Sequence, residues 1–532
     1  MNRIASAMVV LCCCAMYATH AETVSAVDVS GNVVRVTLGS NVCELTPIND
    51  WTVKVEYRPN NQVSKASEII DSSLSSILSF TSIDQSGDPI RLTGANYAVK
   101  ITKNPFSLEF TNSTGSSLYK TTALTGNELT GQVVNGTYYG FRSDPGSNLT
   151  VSGNRAIDPS IQGRGCSPFV WSTKKFGLLV DAEKGSLNLT GTTLQVLRTG
   201  SINKNMLLFL MTGSPRQIMQ NYYRVTGFFP VPPLWATGFM NSEWQIDEQE
   251  MYTHIKGYRS RDIPLDAFIL DYDWFQHEED NNGDFKWNVW NFPSAMSGAL
   301  KKTCDSMGVR LVGIRKPHGN WGGYKDFYDP ADQVWYWNSF VDPAYNSYER
   351  GIIGYWNDEA DEGYPPFANL YMQKSMHNGQ RRYNNKRIWS INRNYMGGAH
   401  RYAYGLWSGD IGASIGDLAA QRGYMLSSVN IGCAWWGMDI GGFNGTPTNE
   451  TYYRWMQMGA FVPIYRVHGT EGEQRQPWRY GTEAEGIAKR FVQLRYTLIP
   501  YVYSAYWKLH LDGLPMVRPL AMDYPDETGI AT

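Results

Sequence analysis

Gly351-Ile-Ile-Gly-Tyr-Trp-Asn-Asp358 is a short, largely apolar run that stops on a carboxylate. Such a run, opened by glycine and only a few residues long, suits a strand buried on both faces. Seven more runs of this texture lie nearby: Thr237–Trp244, Ala267–Asp271, Arg310–Lys316, Arg387–Arg393, Tyr404–Asp410, Cys433–Asp439 and Phe461–Arg466. Helical stretches separate most of them, among them 247–260, 294–307, 416–428 and 482–509. Eight strand-then-helix units in roughly 270 residues match a (β/α)8 TIM barrel in count and size. An open doubly wound sheet does not ask for eight units, and no glycine-rich dinucleotide fingerprint follows any of these runs.

Upstream the texture differs. Residues 22–230 hold alternating runs such as Val33-Val-Arg-Val-Thr37, Trp51-Thr-Val-Lys-Val-Glu-Tyr57 and Ala98-Val-Lys-Ile-Thr102, punctuated by Gly, Asn, Asp and Ser. This predicts an antiparallel β-sandwich, and the rigid Pro230-Val-Pro-Pro233 suits a domain boundary. At the start, Arg3, the apolar run 4–17 and Ala18-Thr-His-Ala21 read as a secretory signal, so a secreted or periplasmic protein is expected. No later apolar run is long enough for a transmembrane helix. Residues from Pro515 start like another β-segment. The expected multidomain order is therefore signal (1–21), β-sandwich (22–230), barrel (231–510) and the start of a truncated C-terminal β domain (511–532).

Composition narrows the partners. A net charge of −2 without a basic stripe argues against nucleic acid, and no acidic tail or membrane-surface helix is present. The 18 Trp and 33 Tyr suit sugar-stacking surfaces as well as they suit ordinary β packing. Three of the seven cysteines fall in the leader. Cys43, Cys166, Cys304 and Cys433 remain without paired spacing; a Cys43–Cys166 bridge is open, and a zinc site is disfavoured. No ligand cluster stands out, so neither metal nor cofactor is expected.

The chemistry sits at the ends of the barrel runs. Glu243 and Trp244, Asp271, Lys316, Asp358, Arg393, Asp410, Asp439, then Arg466 with His468 close these runs. In a parallel barrel all these ends share one face, where active sites form. Several acids at one mouth suit acid–base and nucleophilic work. Glycoside hydrolysis needs two carboxyl groups across the scissile bond, about 5 Å apart for retention and wider for inversion. Asp358 follows the rings of Tyr355 and Trp356, and Asp410 ends Trp407-Ser-Gly-Asp410.

In these motifs the chain resembles glycoside hydrolase family 31, whose core enzymes are retaining exo-acting α-glycosidases, with some transglycosidases. The family's Trp-x-Asp-Met-Asn-Glu appears here as Trp356-Asn-Asp358-Glu-Ala-Asp361. Its Arg-Ser-x-x-x-Gly, Arg-Tyr and Trp-x-Gly-Asp appear as Arg393-Asn-Tyr-Met-Gly-Gly398, Arg401-Tyr402 and Trp407-Ser-Gly-Asp410. Asp439-Ile-Gly-Gly-Phe443, Arg466-Val-His468 and Leu270-Asp-Tyr-Asp-Trp274 match further strand ends. The resemblance implies Asp358 as nucleophile and Asp410 as general acid/base. It implies that Arg393 contacts the nucleophile region and that Asp271, Asp439, Arg466, His468, Trp244 and Trp356 line the sugar pocket. Three departures bear on the sugar: Arg315-Lys-Pro-His318 where many relatives are acidic, Asp361 for Glu, and Asn241-Ser-Glu243 for Cys-Arg. Lys316 is accordingly expected to meet either substrate or a neighbouring acid. The implied function is hydrolysis of terminal α-linked sugars by double displacement. The alternatives are sugar transfer by the same chemistry and a catalytically silent carbohydrate-binding protein.

Overall fold

The computed structural model describes residues 22–76, 78–144, 149–161, 163–199, 203–277, 283–316, 327–344, 346–360, 367–527 and 529–530. The expected leader, Pro317, His318 and Asp361 lie outside these described residues.

Strands between Ala26 and Thr212 form an eight-stranded and a nine-stranded sheet, and the pairings among these strands are antiparallel. Their inner faces meet where Tyr119 of one sheet stacks on Phe176 of the other, centroids 5.8 Å apart. Alternation drives this packing: Val33–Leu38 buries every second residue, because successive strand side chains point to opposite faces. Helix Pro215–Thr226, closed by a Ser214–Gln217 capping box, leads out of the sandwich.

The next unit is an eight-stranded parallel sheet. Its strands, in chain order first to eighth, are Phe239–Glu243, Ala267–Leu270, Arg310–Arg315, Ile352–Asn357, Ser390–Asn392, Tyr404–Trp407, Trp436–Gly437 and Tyr465–Val467. Each neighbours the next in space, and the eighth pairs the first. Parallel bridges Gly437–Ile464 and Ile440–Val467 bring the seventh beside the eighth, so the sheet is barrel-like and nearly closed. The first four strands, short and almost wholly buried, are covered by helices Glu248–Ser260, Ala299–Ser306, Pro330–Val341 and Ala368–Tyr383.

The fifth strand departs from the expected repeat. Among the described residues no α-helix follows it before the sixth strand; a two-residue strand, Tyr395–Met396, and a short 3-10 turn do. Tyr395–Met396 pairs in parallel with Gly165–Cys166, adding a strand to the N-terminal sheet. The backbone groups that a helix would satisfy internally are satisfied by the neighbouring unit.

The start of a C-terminal β domain is not seen among the described residues, and the Cys43–Cys166 bridge that the spacing left open is not formed. The described residues after Asp512 contain no strand; their regular element is helix Leu520–Asp523, entered through Pro519 and anchored by Arg518 and Arg216 on Asp523. Pro519 cannot donate to a strand ladder, and its fixed φ suits a helix start. Cys43 and Cys166 are both buried and free, each held in a different part of the sheet by its own ladder. No described helix is long and apolar enough to cross a membrane.

Candidate active site

The strand ends converge as their parallel pairing requires. Asp358 follows the fourth strand, Arg393 the fifth, and Asp410 lies just past the sixth. Arg393 Nη1 donates to Asp358 Oδ1 at 2.7 Å, and Nη2 donates to Asp410 Oδ2 at 2.9 Å. One planar guanidinium therefore spans both carboxylates, a geometry lysine cannot reproduce. The two differ in exposure: Asp358 is 4% exposed, whereas the Asp410 side chain is 32% exposed.

Burial alone pushes the Asp358 carboxyl up, but the charges of Arg393 and Lys316, the Arg393 hydrogen bond and the Glu359 amide outweigh it. The net result is a carboxyl held below the usual range and charged. The Glu359 amide donates at 2.9 Å because Glu359 takes a left-handed turn, φ +53°. A small clamp holds that turn. Lys316 pairs with Glu359, its Nζ lies 3.9 Å above the Tyr272 ring, and the Tyr272 hydroxyl donates to Glu359 at 3.1 Å. The ammonium of Lys316 thus meets a neighbouring acid. Lys316→Met should raise the acidic limb of the kcat/KM profile by about one pH unit, since a carboxylate losing a nearby cation protonates at higher pH. A pH–rate profile on an aryl glycoside checks this; an unmoved limb would separate Lys316 from Asp358.

Opposite lies a buried polar floor. Arg466 pairs with Asp439 and lies 4.9 Å from the Trp356 ring centroid and 5.9 Å from that of Trp407. His468 Nε2 is 3.3 Å from Asp271 Oδ2. Burial brings His468 down to about 4, so its imidazole is neutral near pH 7. Burial, reinforced by the Asp358 charge, pushes Asp271 well up, and burial also raises Asp439 despite Arg466. Trp356 stands perpendicular to Trp407 and to His468, with centroids 5.5 and 5.1 Å away. Trp244 is half-buried, 5.4 Å from Tyr272 and nearly parallel to Phe443. The buried indole N–H groups of Trp356 and Trp407 find no acceptor among the described residues, which suits a hydroxyl-bearing ligand.

Every pocket residue that the family resemblance implied, together with Lys316, therefore falls on this face, whereas Glu243 turns outward toward helix Glu248–Ser260. Four contributors were not nominated: Trp407, Tyr272, Phe443 and Glu359. Each adjoins a nominated motif, and an aromatic or acid beside a strand-end charge was the available signal.

The N-terminal unit reaches the same mouth. The Gly163 amide donates to the Arg393 carbonyl at 2.6 Å. At φ +64°, a Cβ on Gly163 would lie 2.8 Å from the Ser408 carbonyl oxygen, so only glycine fits. Beside Asp410 a cavity of about 410 Å³ opens, walled by Gly163 and Arg164 on one side and Gln421 on the other.

Comparison with known proteins gives a consistent picture. The model of the glycosyl hydrolases family 31 TIM-barrel domain matches residues 229–321 and 315–505. A 1,6-alpha-glucosyltransferase from Sporosarcina globispora is 33% identical over 91% of this chain and 44% of its own length. An alpha-xylosidase from Saccharolobus solfataricus is 29% identical over 68% of this chain and 55% of its own. The chain thus spans about half the length of these curated relatives. Among solved structures, a Flavobacterium johnsoniae dextranase variant complexed with isomaltotriose superposes with a TM-score of 0.85 at 21% identity, covering 96% of this chain and 73% of that one.

Proposed function

The chain belongs to glycoside hydrolase family 31, and from that premise we propose that it is a retaining, exo-acting α-glycosidase of α-glucosidase type. The observation that carries the reading is the single Arg393 guanidinium bridging Asp358 and Asp410. It brings a buried, charged carboxylate and a more open one to the two Nη atoms of one guanidinium, which supports a pair able to flank one glycosidic bond, as double displacement needs.

In the first step Asp358 attacks the anomeric carbon while Asp410 protonates the departing glycosidic oxygen, giving a β-glycosyl–enzyme. Asp410 then takes a proton from water, which attacks from the opposite face and restores the α-configuration. Asp271, Asp439, Arg466 and His468 hold sugar hydroxyls, and Trp244 and Trp356 wall the ring. No step calls for a metal or cofactor. We read the nearly closed sheet as a (β/α)8 barrel whose fifth helix is replaced by pairing to the sandwich. Residues 22–230 and 231–510 are its two units, and residues 1–21 are a secretory leader.

A second reading is sugar transfer, favoured by the glucosyltransferase relative. There an acceptor hydroxyl replaces water, and the cavity beside Asp410 has room for an acceptor sugar. The test is a panel of aryl α-glycosides of glucose, xylose, galactose, N-acetylgalactosamine and an anionic sugar, with the first product followed by NMR. Release of the α-anomer supports the proposal, and transfer products that grow with sugar concentration support the second reading. Release of the β-anomer would overturn retention, and binding without release would identify a silent carbohydrate-binding protein.

A further inference from the structure

The first barrel strand alternates, and only one of its faces serves the sugar pocket. Ser242 turns inward, where Arg466 Nη1 lies 3.5 Å from its hydroxyl. Asn241 and Glu243 turn outward toward helix Glu248–Ser260. On that helix Glu250 and His254 are one turn apart and share a face. His254 Nε2 is 3.5 Å from Glu243 Oε1 and 3.4 Å from Glu250 Oε1, and the three atoms lie within 4.8 Å of one another.

Those distances are informative. A histidine N–H donating to a carboxylate settles near 2.7–3.2 Å. Ligands about 2.0–2.1 Å from a tetrahedral ion, by contrast, sit roughly 3.3–3.4 Å apart. His254 is only 4% exposed, and its Nε2, aimed at both carboxylates, has no hydrogen-bond partner among the described residues. A buried polar atom in that position is costly unless something occupies the space between the three groups. Both carboxylates also accept a hydrogen bond from outside the trio. Gln476 donates to Glu243 Oε2 and Gln474 to Glu250 Oε1, both at 2.7 Å, as outer partners of metal-ligating carboxylates do.

We propose that Glu243, Glu250 and His254 form a binding site for a divalent first-row metal ion of the zinc type, with water as fourth ligand. Two carboxylates neutralise the ion, and imidazole supplies the nitrogen that favours zinc over calcium or magnesium. The site lies on the outer face of the strand, away from Asp358 and Asp410, and takes no part in the sugar reaction. It ties the first strand, its helix and the 474–476 segment together, one residue before Trp244. Its role is to brace that wall of the pocket.

The test uses the whole chain, stripped with a chelator and titrated with Zn²⁺. One tightly bound equivalent is expected, with a rise in melting temperature that grows with free Zn²⁺. Glu250→Gln, a change on a partly exposed helix face, should weaken Zn²⁺ binding at least about 10-fold and abolish that rise while sparing hydrolysis. Co²⁺ should give the strong visible absorption of a tetrahedral site in the unaltered protein, and His254→Gln should lose it. Equal Zn²⁺ binding by the unaltered protein and Glu250→Gln, or no thermal shift, would overturn the proposal. So would an imidazole that NMR finds doubly protonated at neutral pH in the presence of Zn²⁺, since that marks a metal-free ion pair.

Discussion

Asp358→Ala is expected to lower turnover of an aryl α-glucoside by roughly four orders of magnitude or more, with the fold intact. Removing the carboxylate deletes the group that, in the proposed double displacement, forms the covalent bond. It does not strand the neighbouring cations, since Arg393 keeps Asp410 and Lys316 keeps Glu359. It also relieves Asp271 of a nearby like charge. Steady-state rates and a thermal melt separate chemistry from folding. Azide adds a stereochemical check: in the space left by the side chain it attacks the anomeric carbon directly, so the rescued product is the β-glycosyl azide. Near-normal turnover would remove Asp358 from the reaction.

Asp410→Ala should produce the mirror of that result. General acid catalysis contributes about 10²–10⁴-fold, and the loss scales with how badly the leaving group needs a proton. Disaccharides and alkyl glycosides should lose about 10³-fold, whereas a dinitrophenyl glycoside should form the glycosyl–enzyme almost normally. Without a base for water the second step then stalls, giving a burst followed by a slow steady state. Azide needs no base and should rescue this variant with retention, giving the α-glycosyl azide. A loss independent of leaving group, or a β-azide product, would show that Asp410 is not the acid/base. The asymmetry has a structural counterpart: the buried Asp358 is held charged, and the more exposed Asp410 borders the 410 Å³ cavity.

The strand ends were legible because a parallel sheet converts position along each run into position in space. Once Gly351–Asp358 and its companions were read as strands, Asp358, Arg393, Asp410 and Asp439 had to share one face. Their pairing was not legible. Sequence reading sent Arg393 to the nucleophile region, and the structure adds Asp410 to the same guanidinium. Lys316 was ambiguous between substrate and a neighbouring acid because its partner, Glu359, depends on a left-handed turn that no motif announces. Glu243 and His254 stood 11 positions apart in text read for strand ends, and the cluster with Glu250 surfaced only when strand and helix were packed.

By itself, then, the sequence determined the order of units, the period of each element and the set of charges delivered to the barrel mouth. These are local properties, set by side-chain alternation and by where each apolar run stops. Tertiary structure decided the rest. It turned the fifth unit's link into a strand of the neighbouring sheet, made the 520–523 segment a helix, and kept Cys43 and Cys166 apart. It also chose which acid each cation serves. The physical reason is common to all of these: hydrogen bonds and ion pairs between segments depend on distances that packing fixes to within an ångström, and one-dimensional spacing carries no such distance.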